Sequence, residues 1–218
     1  MLDKFLVVIP THRPALAAST ITELRKGLTY PTDFIVLDGR KGKMSALNHA
    51  LATLLCEDQH TVYTTVDDDI ILPYNWQHSV ACAMARVPNI GLCGIDMAGS
   101  DEGRLLMQAG AHAPIIKHKD VRFRDTVGYQ NVAGACMSMR PSLARQIGPY
   151  PYADDGRHYF ADEDGWRCHQ VAMLGKRYGY VMPIGGAPLQ FMSYQDSEEY
   201  TEKKRADAEQ WLQSPSWP

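Results

Sequence analysis

A β-rich run leads directly into three aspartates and a second apolar run in Thr61-Val62-Tyr63-Thr64-Thr65-Val66-Asp67-Asp68-Asp69-Ile70-Ile71-Leu72-Pro73. Branched and aromatic residues favour an extended strand up to Val66. Side chains alternate along extended backbone, so we expect Asp67 and Asp69 to share one side, with Asp68 turned away. Two carboxylates this close repel each other unless a cation lies between or beside them. The segment therefore predicts a strand that ends in a charged site.

The two same-side carboxylates offer the hard oxygen ligands that Mg²⁺ and Mn²⁺ prefer, and such ions commonly bridge a protein carboxylate to a diphosphate. An acidic turn that caps the next helix is the alternative interpretation. The position directly after a β run favours the metal site. We predict Asp67 and Asp69 as ligands of Mn²⁺ or Mg²⁺.

Strands and helices alternate with short connections on both sides of this segment. The pattern predicts strands over Phe5–Ile9 and Phe34–Leu37, and helices over Ala15–Leu28, Ser45–Leu55 (with Ser45 as its cap) and Asn75–Arg86. Such alternation is typical of an open, mostly parallel α/β sheet with flanking helices, in which ligands bind beyond the carboxyl ends of the strands. Three of these ends are polar or charged: Pro10-Thr11-His12-Arg13, Asp38-Gly39-Arg40 and Asp67-Asp68-Asp69.

Length and composition favour a single globular domain over residues 1–218, with 45% hydrophobic and 22% charged residues. The net charge of −3 disfavours a protein that grips nucleic acid over a broad surface. No apolar run approaches the roughly 20 residues of a transmembrane helix, and no signal-peptide core is present. We therefore expect a soluble cytoplasmic protein without membrane insertion. The five cysteines form no CxxC pair, which disfavours a zinc site and a disulfide framework.

Two further charged motifs stand at predicted helix starts. Asp162-Glu163-Asp164 precedes a helix that runs to Leu174, where acids either cap the helix or supply a general base at the edge of a cleft. Arg40-Lys41-Gly42-Lys43 precedes the helix from Ser45, where lysines and glycines suit a diphosphate; a solvated surface loop is the alternative. Asp38 either accepts from a base or ribose or belongs to a simple turn.

A series of short motifs follows the same order along the chain: Val7–Thr11, Gly42–Asn48, Val66–Pro73, Ala133–Arg140, Ile147-Gly148, Phe160 through Glu163-Asp164 to Gly175, and Tyr178–Pro183. In this order they resemble the GT-A glycosyltransferases, and most closely the inverting family-two enzymes. The resemblance covers roughly residues 4 to 183. It implies a GT-A-like domain with a nucleotide-sugar-binding half (1–90), an acceptor and catalytic half (91–195) and a C-terminal helical tail (196–218).

The resemblance also implies roles for individual residues. Asp67 and Asp69 form the DxD pair, with Asp69 the direct metal ligand, and Asp164 of the Glu163-Asp164 catalytic pair is the general base. Thr11 and Asp38 contact base and ribose, Lys43 lies near the nucleotide, and Gly134-Ala135 line the sugar and acceptor site. The whole implied nucleotide-sugar site comprises Pro10, Thr11, Arg13, Asp38, Lys43, Asn48, Asp67, Asp68, Gly134 and Ala135.

Some positions depart from the family pattern. Leu37-Asp38-Gly39-Arg40 stands where the family has Asp-Asp-Gly-Ser, and Trp166 replaces an acid two residues after the catalytic pair. No histidine follows the last strand between Met182 and Met192, which leaves that metal ligand unassigned.

The acceptor is expected to contact the second half of the chain, including Trp166. That half contains a segment with four basic residues and a single acid, Asp120, and with Phe123 and Tyr129 nearby in the sequence. The basic residues are Lys117, Lys119, Arg122 and Arg124. This basic segment predicts an anionic acceptor, either a phosphorylated glycan or lipid head group or a nucleic acid with a hydroxylated base. A solvated hairpin is the alternative.

The predicted function is metal-dependent, inverting transfer of a sugar from a nucleotide diphosphate sugar to an acceptor hydroxyl. Two other functions compete with it. A sugar-phosphate nucleotidyltransferase needs a glycine-rich loop after the first strand, and Pro10-Thr11-His12-Arg13-Pro14 contains no glycine. A non-catalytic nucleotide-sugar-binding module does not need the acidic motifs at 67–69 and 163–164.

Overall fold

The computed structural model describes residues 3–53, 59–97, 110–119, 121–151 and 163–182, together with the backbone of 190–191. The predicted C-terminal helix (196–212), Asp120, Asp162 and Cys56 lie outside these residues. No helix in the described part of the chain combines the length and apolar character needed to cross a membrane.

The first half alternates strands and helices as the sequence predicts. Its strands are β1 (Phe5–Thr11), β2 (Thr32–Asp38), β3 (Val62–Val66) and the short β4 (Ile70–Ile71), and its helices are α1 (Pro14–Lys26), α2 (Lys43–Thr53) and α3 (Trp76–Arg86). All of β1 and β3 is buried, which explains the uninterrupted apolar run Phe5–Ile9 in β1. Helix α2 begins at Lys43, so Ser45 lies inside its first turn and does not cap it.

The second half contributes strands of both directions. They are β5 (Ile90–Ile95), β6 (Ile115–His118), β7 (Val121–Asp125), β8 (Cys136–Met139), β9 (Arg177–Met182) and β10 (Gln190–Phe191), with helices α4 (Pro141–Ile147) and α5 (Glu163–Met173). Strand β5 was not predicted, because its glycines conceal the β pattern. Gly91 and Gly94 are required there, since a Cβ at either position would lie within 3 Å of a packed side chain.

Eight of the strands form one twisted sheet in the order β2-β1-β3-β8-β5-β9-β7-β6. The predicted α/β class is confirmed, but the sheet is mixed instead of mostly parallel. Pairs β1–β2, β1–β3 and β5–β9 are parallel, while β8 and the β6–β7 hairpin pair antiparallel with their neighbours. The reversed strands come from the second half, where the sequence shows no regular strand–helix alternation. Strand β10 pairs with β4 in a separate two-stranded sheet.

The strand register places the end of β3 and the β6–β7 hairpin at one level of the sheet. Val66 is paired with Cys136 on β8, and Val181 on β9 is paired with Phe123 on β7. The next level contains Asp67, whose N–H donates to Ala135 O (3.0 Å), and Arg122. The charged end of β3 and the basic hairpin therefore share one edge of the molecule.

Candidate active site

Charged side chains from four elements meet beyond the carboxyl ends of β1 and β3. Arg13 follows β1, Lys43 starts α2, Asp67–Asp69 follow β3, and Glu163-Asp164 start α5. The parallel pairing of β1 with β3 brings the first three groups to one edge, as expected for an α/β sheet. Helix α5 adds its N-terminal acids from the distant second half of the chain.

Lys43 connects the carboxylate of Asp67, after β3, with the carboxylate of Glu163, at the start of α5. Its ammonium lies 2.7 Å from Asp67 Oδ1 and 2.7 Å from Glu163 Oε1, and it donates to Gly134 O at 3.2 Å. Burial opposes the charged ammonium, but the two carboxylates outweigh it and hold the pKa of Lys43 well above its ordinary value. Burial raises the pKa of Asp67, and Lys43 partly offsets that rise. Lys43 is therefore a permanent cation at the centre of the cluster.

Gly134 lets this ion pair approach the backbone closely. A Cβ at this position would lie 2.6 Å from Glu163 Oε1 and 2.9 Å from Lys43 Nζ. The Gly134 N–H also donates to Asp164 Oδ2 (3.2 Å). The absence of a side chain at Gly134 thus allows Lys43, Glu163 and Asp164 to surround this one residue.

Arg13 organises the other side of the aspartate triplet. Its guanidinium pairs with Asp68 through both Nε (3.1 Å) and Nη2, and it also contacts Asp69 Oδ2 (3.2 Å). The Asp68 carboxylate is buried and accepts from the Thr11 hydroxyl, while Thr20 Oγ1 donates to the Asp68 carbonyl (2.6 Å). Asp68 is therefore turned inward and fixes the loop. Its inward direction was predicted from extended backbone, whereas residues 68 and 69 form a turn.

Asp67 and Asp69 remain the partly exposed carboxylates of the triplet, with side chains 33% and 24% accessible. Burial and the neighbouring Asp67 charge raise the pKa of Asp69, and Arg13 lowers it. No group of three His, Cys, Asp or Glu side chains converges as a metal site within the described ranges. Two hard carboxylates fit a divalent ion that takes its remaining ligands from a diphosphate and water. These two carboxylate ligands therefore suit Mg²⁺ or Mn²⁺ bound together with a substrate.

Asp164 is held at the start of α5 by backbone donors. Its carboxylate accepts from Gly134 N and from Gly165 N at 2.8 Å. The Tyr180 hydroxyl supports the same loop, because it accepts from Ala133 N (2.8 Å) and donates to Asn131 O (3.1 Å). Burial raises the pKa of Tyr180 to about 12, so this phenol stays protonated. Asp164 and Gly134 are thus positioned together from two strands and a helix.

Other predicted substrate-binding residues lie around the cluster. Pro10 and Thr11 end β1, and Ala135 binds the Asp67 backbone. Asp38 ends β2 beside Arg40, whose side chain holds the pKa of Asp38 at about 2. The side-chain amide of Asn48 binds Tyr150 instead: it donates to Tyr150 O (2.9 Å) and accepts from Tyr150 N (2.7 Å).

The predicted acceptor residues fall into two groups. Trp166 lies on α5 and packs against Tyr150, with ring centroids 5.1 Å apart, and beside the buried Arg167. Lys117, Lys119 and Arg122 are exposed on the β6–β7 hairpin, while Arg124 donates to Gly110 O and Ala111 O. The structure brings Trp166 near the acidic helix start, whereas β7 is the fourth strand from β3, about 20 Å away.

Three contacts of the site were not predicted from the sequence. They are the Glu163–Lys43 pair, the inward Asp68–Arg13 pair and the Tyr180 hydroxyl beneath the 131–134 loop. Each joins residues at least 47 positions apart, so no local pattern signals it. The motif Arg40–Lys43 was the available signal for a cation near the aspartates.

The chain is similar to solved structures of two glycosyltransferases over nearly its whole length. The mannosyltransferase PcManGT from Pyrobaculum calidifontis, solved with GDP-Man and Mn²⁺, matches with a TM-score of 0.53 and 14% identity over 100% of this chain and 66% of its own. A mutant of Drosophila β-1,4-galactosyltransferase 7, complexed with manganese, UDP-Gal and xylobiose, matches with a TM-score of 0.54 and 12% identity over 94% of this chain and 80% of its own. This chain has a GT-A-like fold. The catalytic domain of the same Drosophila enzyme with xylobiose gives a TM-score of 0.51 at 13% identity.

The chain spans just under two thirds of the length of the mannosyltransferase. No protein-family model matches the sequence, and neither does any curated protein. The fold predicted from the ordered motifs is therefore confirmed by structural similarity alone.

Proposed function

We propose that this GT-A-like chain is a metal-dependent, inverting glycosyltransferase that uses a nucleotide diphosphate sugar. The observation that carries the proposal is the convergence of Asp67, Lys43, Glu163 and Asp164 at Gly134. Asp69 follows in the same loop as Asp67 and contacts Arg13. Cations and carboxylates at the ends of parallel strands match the needs of a diphosphate donor. The manganese and nucleotide sugars bound by the mannosyltransferase and galactosyltransferase of the same fold support it.

Lys43 and Arg13 are the groups we assign to the donor diphosphate. Both are cations at the sheet edge, and Lys43 lies at the N-terminus of α2, where the helix dipole also favours an anion. Asp69 and Asp67 would hold the divalent ion, which when bound shields the charge that develops on the leaving diphosphate. We assign Thr11 and Asp38, at the ends of β1 and β2, to the base and the ribose.

Asp164 is the proposed general base. Two backbone N–H groups fix its carboxylate beside Gly134. The acceptor hydroxyl transfers its proton to this carboxylate while its oxygen attacks the anomeric carbon from the face opposite the diphosphate. Glu163, the other acid of the pair, is engaged by Lys43 and positions that cation. The product therefore has the inverted anomeric configuration.

The acceptor is proposed to be anionic. Lys117, Lys119 and Arg122 are exposed on the hairpin, and the register places Arg122 level with Asp67 across the sheet. Because about 20 Å separates β7 from β3, only an extended acceptor reaches both the hairpin and Asp164. An anionic glycan and a single-stranded nucleic acid with a hydroxylated base both meet this requirement.

The activity is tested by incubating the protein with UDP-, GDP-, CMP- and dTDP-sugars, with Mn²⁺ and with EDTA. We expect slow metal-dependent release of nucleotide from one donor and, once an acceptor is supplied, a product of inverted configuration. Parallel incubation with nucleoside triphosphate and sugar phosphate tests the nucleotidyltransferase alternative. Retention of configuration would contradict the proposed mechanism.

Three variants assign the roles within the site. Asp164→Asn should keep donor affinity and lower turnover by about 10²-fold or more, because the base is lost. Asp69→Ala should remove activity, because the diphosphate charge is left unshielded. Glu163→Gln replaces the carboxylate by a neutral amide of the same size and serves as the matched control for the base. A dead Glu163→Gln beside an active Asp164→Asn would reassign the base to Glu163.

A further inference from the structure

The carboxylates proposed for the divalent ion are paired with the chain's own cations. Asp67 contacts Lys43 at 2.7 Å, and Asp69 contacts Arg13 at 3.2 Å. An ion that binds these oxygens must compete with an ammonium and a guanidinium already beside them. The same two cations are the groups assigned above to the donor diphosphate.

Lys43 has no spare donor in this arrangement. An ammonium carries three N–H groups, and Asp67, Glu163 and Gly134 O accept all three. It therefore cannot bind a diphosphate oxygen without releasing one of these partners. The narrow space around Gly134 also restricts where the ammonium moves, since the Gly134 Cα faces both Lys43 and Glu163.

We propose that Lys43 acts as an exchangeable counter-ion: it neutralises Asp67 in the ligand-free protein and transfers to the donor diphosphate when the divalent ion takes its place on Asp67. The inference rests on the proposed function. Because Asp67 loses one cation only when another arrives, and Lys43 gains an anion in the same event, the ion and the diphosphate bind with positive coupling. Arg13 is a second cation beside these carboxylates: it contacts Asp69 (3.2 Å) and is anchored on Asp68. By linkage, each ligand strengthens binding of the other by the same factor.

The exchange can be distinguished from simple diphosphate binding by the direction in which removal of the lysine changes the affinity for the ion alone. Removing a lysine that only binds diphosphate leaves the affinity for the ion alone unchanged. Removing a lysine that competes with the ion raises that affinity. A neighbouring cation shifts the proton affinity of a carboxylate by about tenfold or more, which sets the scale expected for Mn²⁺.

The test measures protein-bound Mn²⁺ by equilibrium dialysis, with and without methylenediphosphonate, at matched free Mn²⁺. We compare the full chain with Lys43→Met, which keeps the length of the side chain, and with Lys41→Met, an exposed neighbour, as control. The wild type should bind Mn²⁺ weakly alone and about tenfold or more tightly with the diphosphonate. Lys43→Met should bind Mn²⁺ alone about tenfold more tightly than wild type and gain less than threefold from the diphosphonate.

Additional variants locate the effect. Asp69→Ala in the Lys43→Met background should abolish the gain in Mn²⁺ affinity, and Arg13→Gln should raise Mn²⁺ affinity as Lys43→Met does. Thermal unfolding gives a second readout: Mn²⁺ should stabilise Lys43→Met more than wild type, since ligands that bind the folded state raise its stability.

The outcomes separate this inference from the proposed function. Wild-type protein that binds Mn²⁺ with the diphosphonate, together with Lys43→Met that binds Mn²⁺ alone no better than wild type, overturns the exchange and leaves the proposed function standing. Wild-type protein that binds no Mn²⁺ even with the diphosphonate overturns the metal-dependent function and the exchange with it.

Discussion

The candidate site and the β6–β7 hairpin lie at two ends of the same edge of the sheet, and they differ in how their charges are balanced. Beyond β1 and β3, the cations Arg13 and Lys43 lie in contact with the carboxylates of Asp68, Asp69, Asp67 and Glu163. On the β6–β7 hairpin, Lys117 and Arg122 are cross-strand neighbours and are both exposed. No ion pair involves either of them among the residues that the structure describes.

The difference follows from burial. Partly buried charges need counter-charges close by, because desolvation makes an unpaired ion costly. Exposed charges are solvated and contribute little to stability, so like charges are tolerated side by side on a hairpin. The end with Arg13 and Lys43 is therefore balanced internally, and the exchange inferred above would change its partners on binding. The hairpin end keeps its positive charge available to an external anion.

The largest effect is expected from a substitution that disrupts the ion pairs of the site without unfolding the chain. Gly134→Ala should lower activity by about 10²-fold or more, because its Cβ displaces Lys43 and Glu163 and disturbs Asp164. The displaced groups are ends of flexible side chains, so the free energy of unfolding should change by less than about 1 kcal/mol. Turnover and urea unfolding measure the two quantities.

Gly179→Ala is the matched control for that substitution. Its Cβ would meet the backbone carbonyl of Arg124 on the paired strand β7, which cannot move like a side chain end. This variant should be destabilised by about 2 kcal/mol or more. Similar stability losses in both glycine variants would contradict the distinction between a functional and a structural close approach.

The next effect concerns the hairpin end. Replacing Lys117, Lys119 and Arg122 together by Ala should leave donor hydrolysis unchanged and raise the acceptor KM by about tenfold. The slope of log affinity against log salt should flatten by about three, one for each lost phosphate-like contact. Arg124 is kept, because its contacts with Gly110 and Ala111 give it a structural role.

Separate acceptors extend the hairpin experiment. Sulfated or phosphorylated glycans and single-stranded DNA with hydroxymethylated bases distinguish the two anionic classes. Transfer that is equally efficient in the triple variant and insensitive to salt would make the hairpin a solvated surface only.

A smaller effect is expected where the sheet supports the site. Tyr180→Phe removes the hydroxyl that binds Ala133 N and Asn131 O, which should cost about 1–2 kcal/mol of stability. The loop that carries Gly134 then loosens, so turnover should fall more than donor affinity. Because the pKa of Tyr180 is raised to about 12, the difference should be constant between pH 6 and about 9. A variant with wild-type turnover would show that Gly134 is held without this hydroxyl.

The smallest effect lies at the opposite end of the sheet. Asp33 accepts from Lys4 (2.9 Å) and His60 (2.7 Å), and these hydrogen bonds lower its pKa. Its stabilising contribution is present above the ordinary aspartate pKa and is lost as the pH falls through the lowered value. Since Asp33 is half-exposed, Asp33→Asn should cost less than about 1 kcal/mol at pH 7, with no effect on activity. Thermal unfolding at pH 7 and in acid checks this; a difference that persists in acid would exclude the ionised carboxylate as its cause.

The sequence alone determined the elements whose patterns are local. The buried strands β1 and β3, the helices α1 and α3 and the acidic start of α5 follow from apolar periodicity and from acids at a helix start. The inward direction of Asp68 was predicted from extended backbone, but residues 68 and 69 form a turn, and the contacts of Asp68 with Thr11 and Arg13 fix its direction instead. The GT-A-like fold was predictable because its motifs keep their order along the chain.

Only the tertiary structure decided which of these residues meet. Strand β5 and the reversed direction of β8 depend on glycine-mediated packing and on pairing with strands distant in the sequence. The Lys43–Glu163 contact, which gives Glu163 a different partner from Asp164, forms because α5 is packed beside the end of β3. Local sequence specifies which charge each segment carries, whereas chain pairing and burial determine the partner that neutralises it.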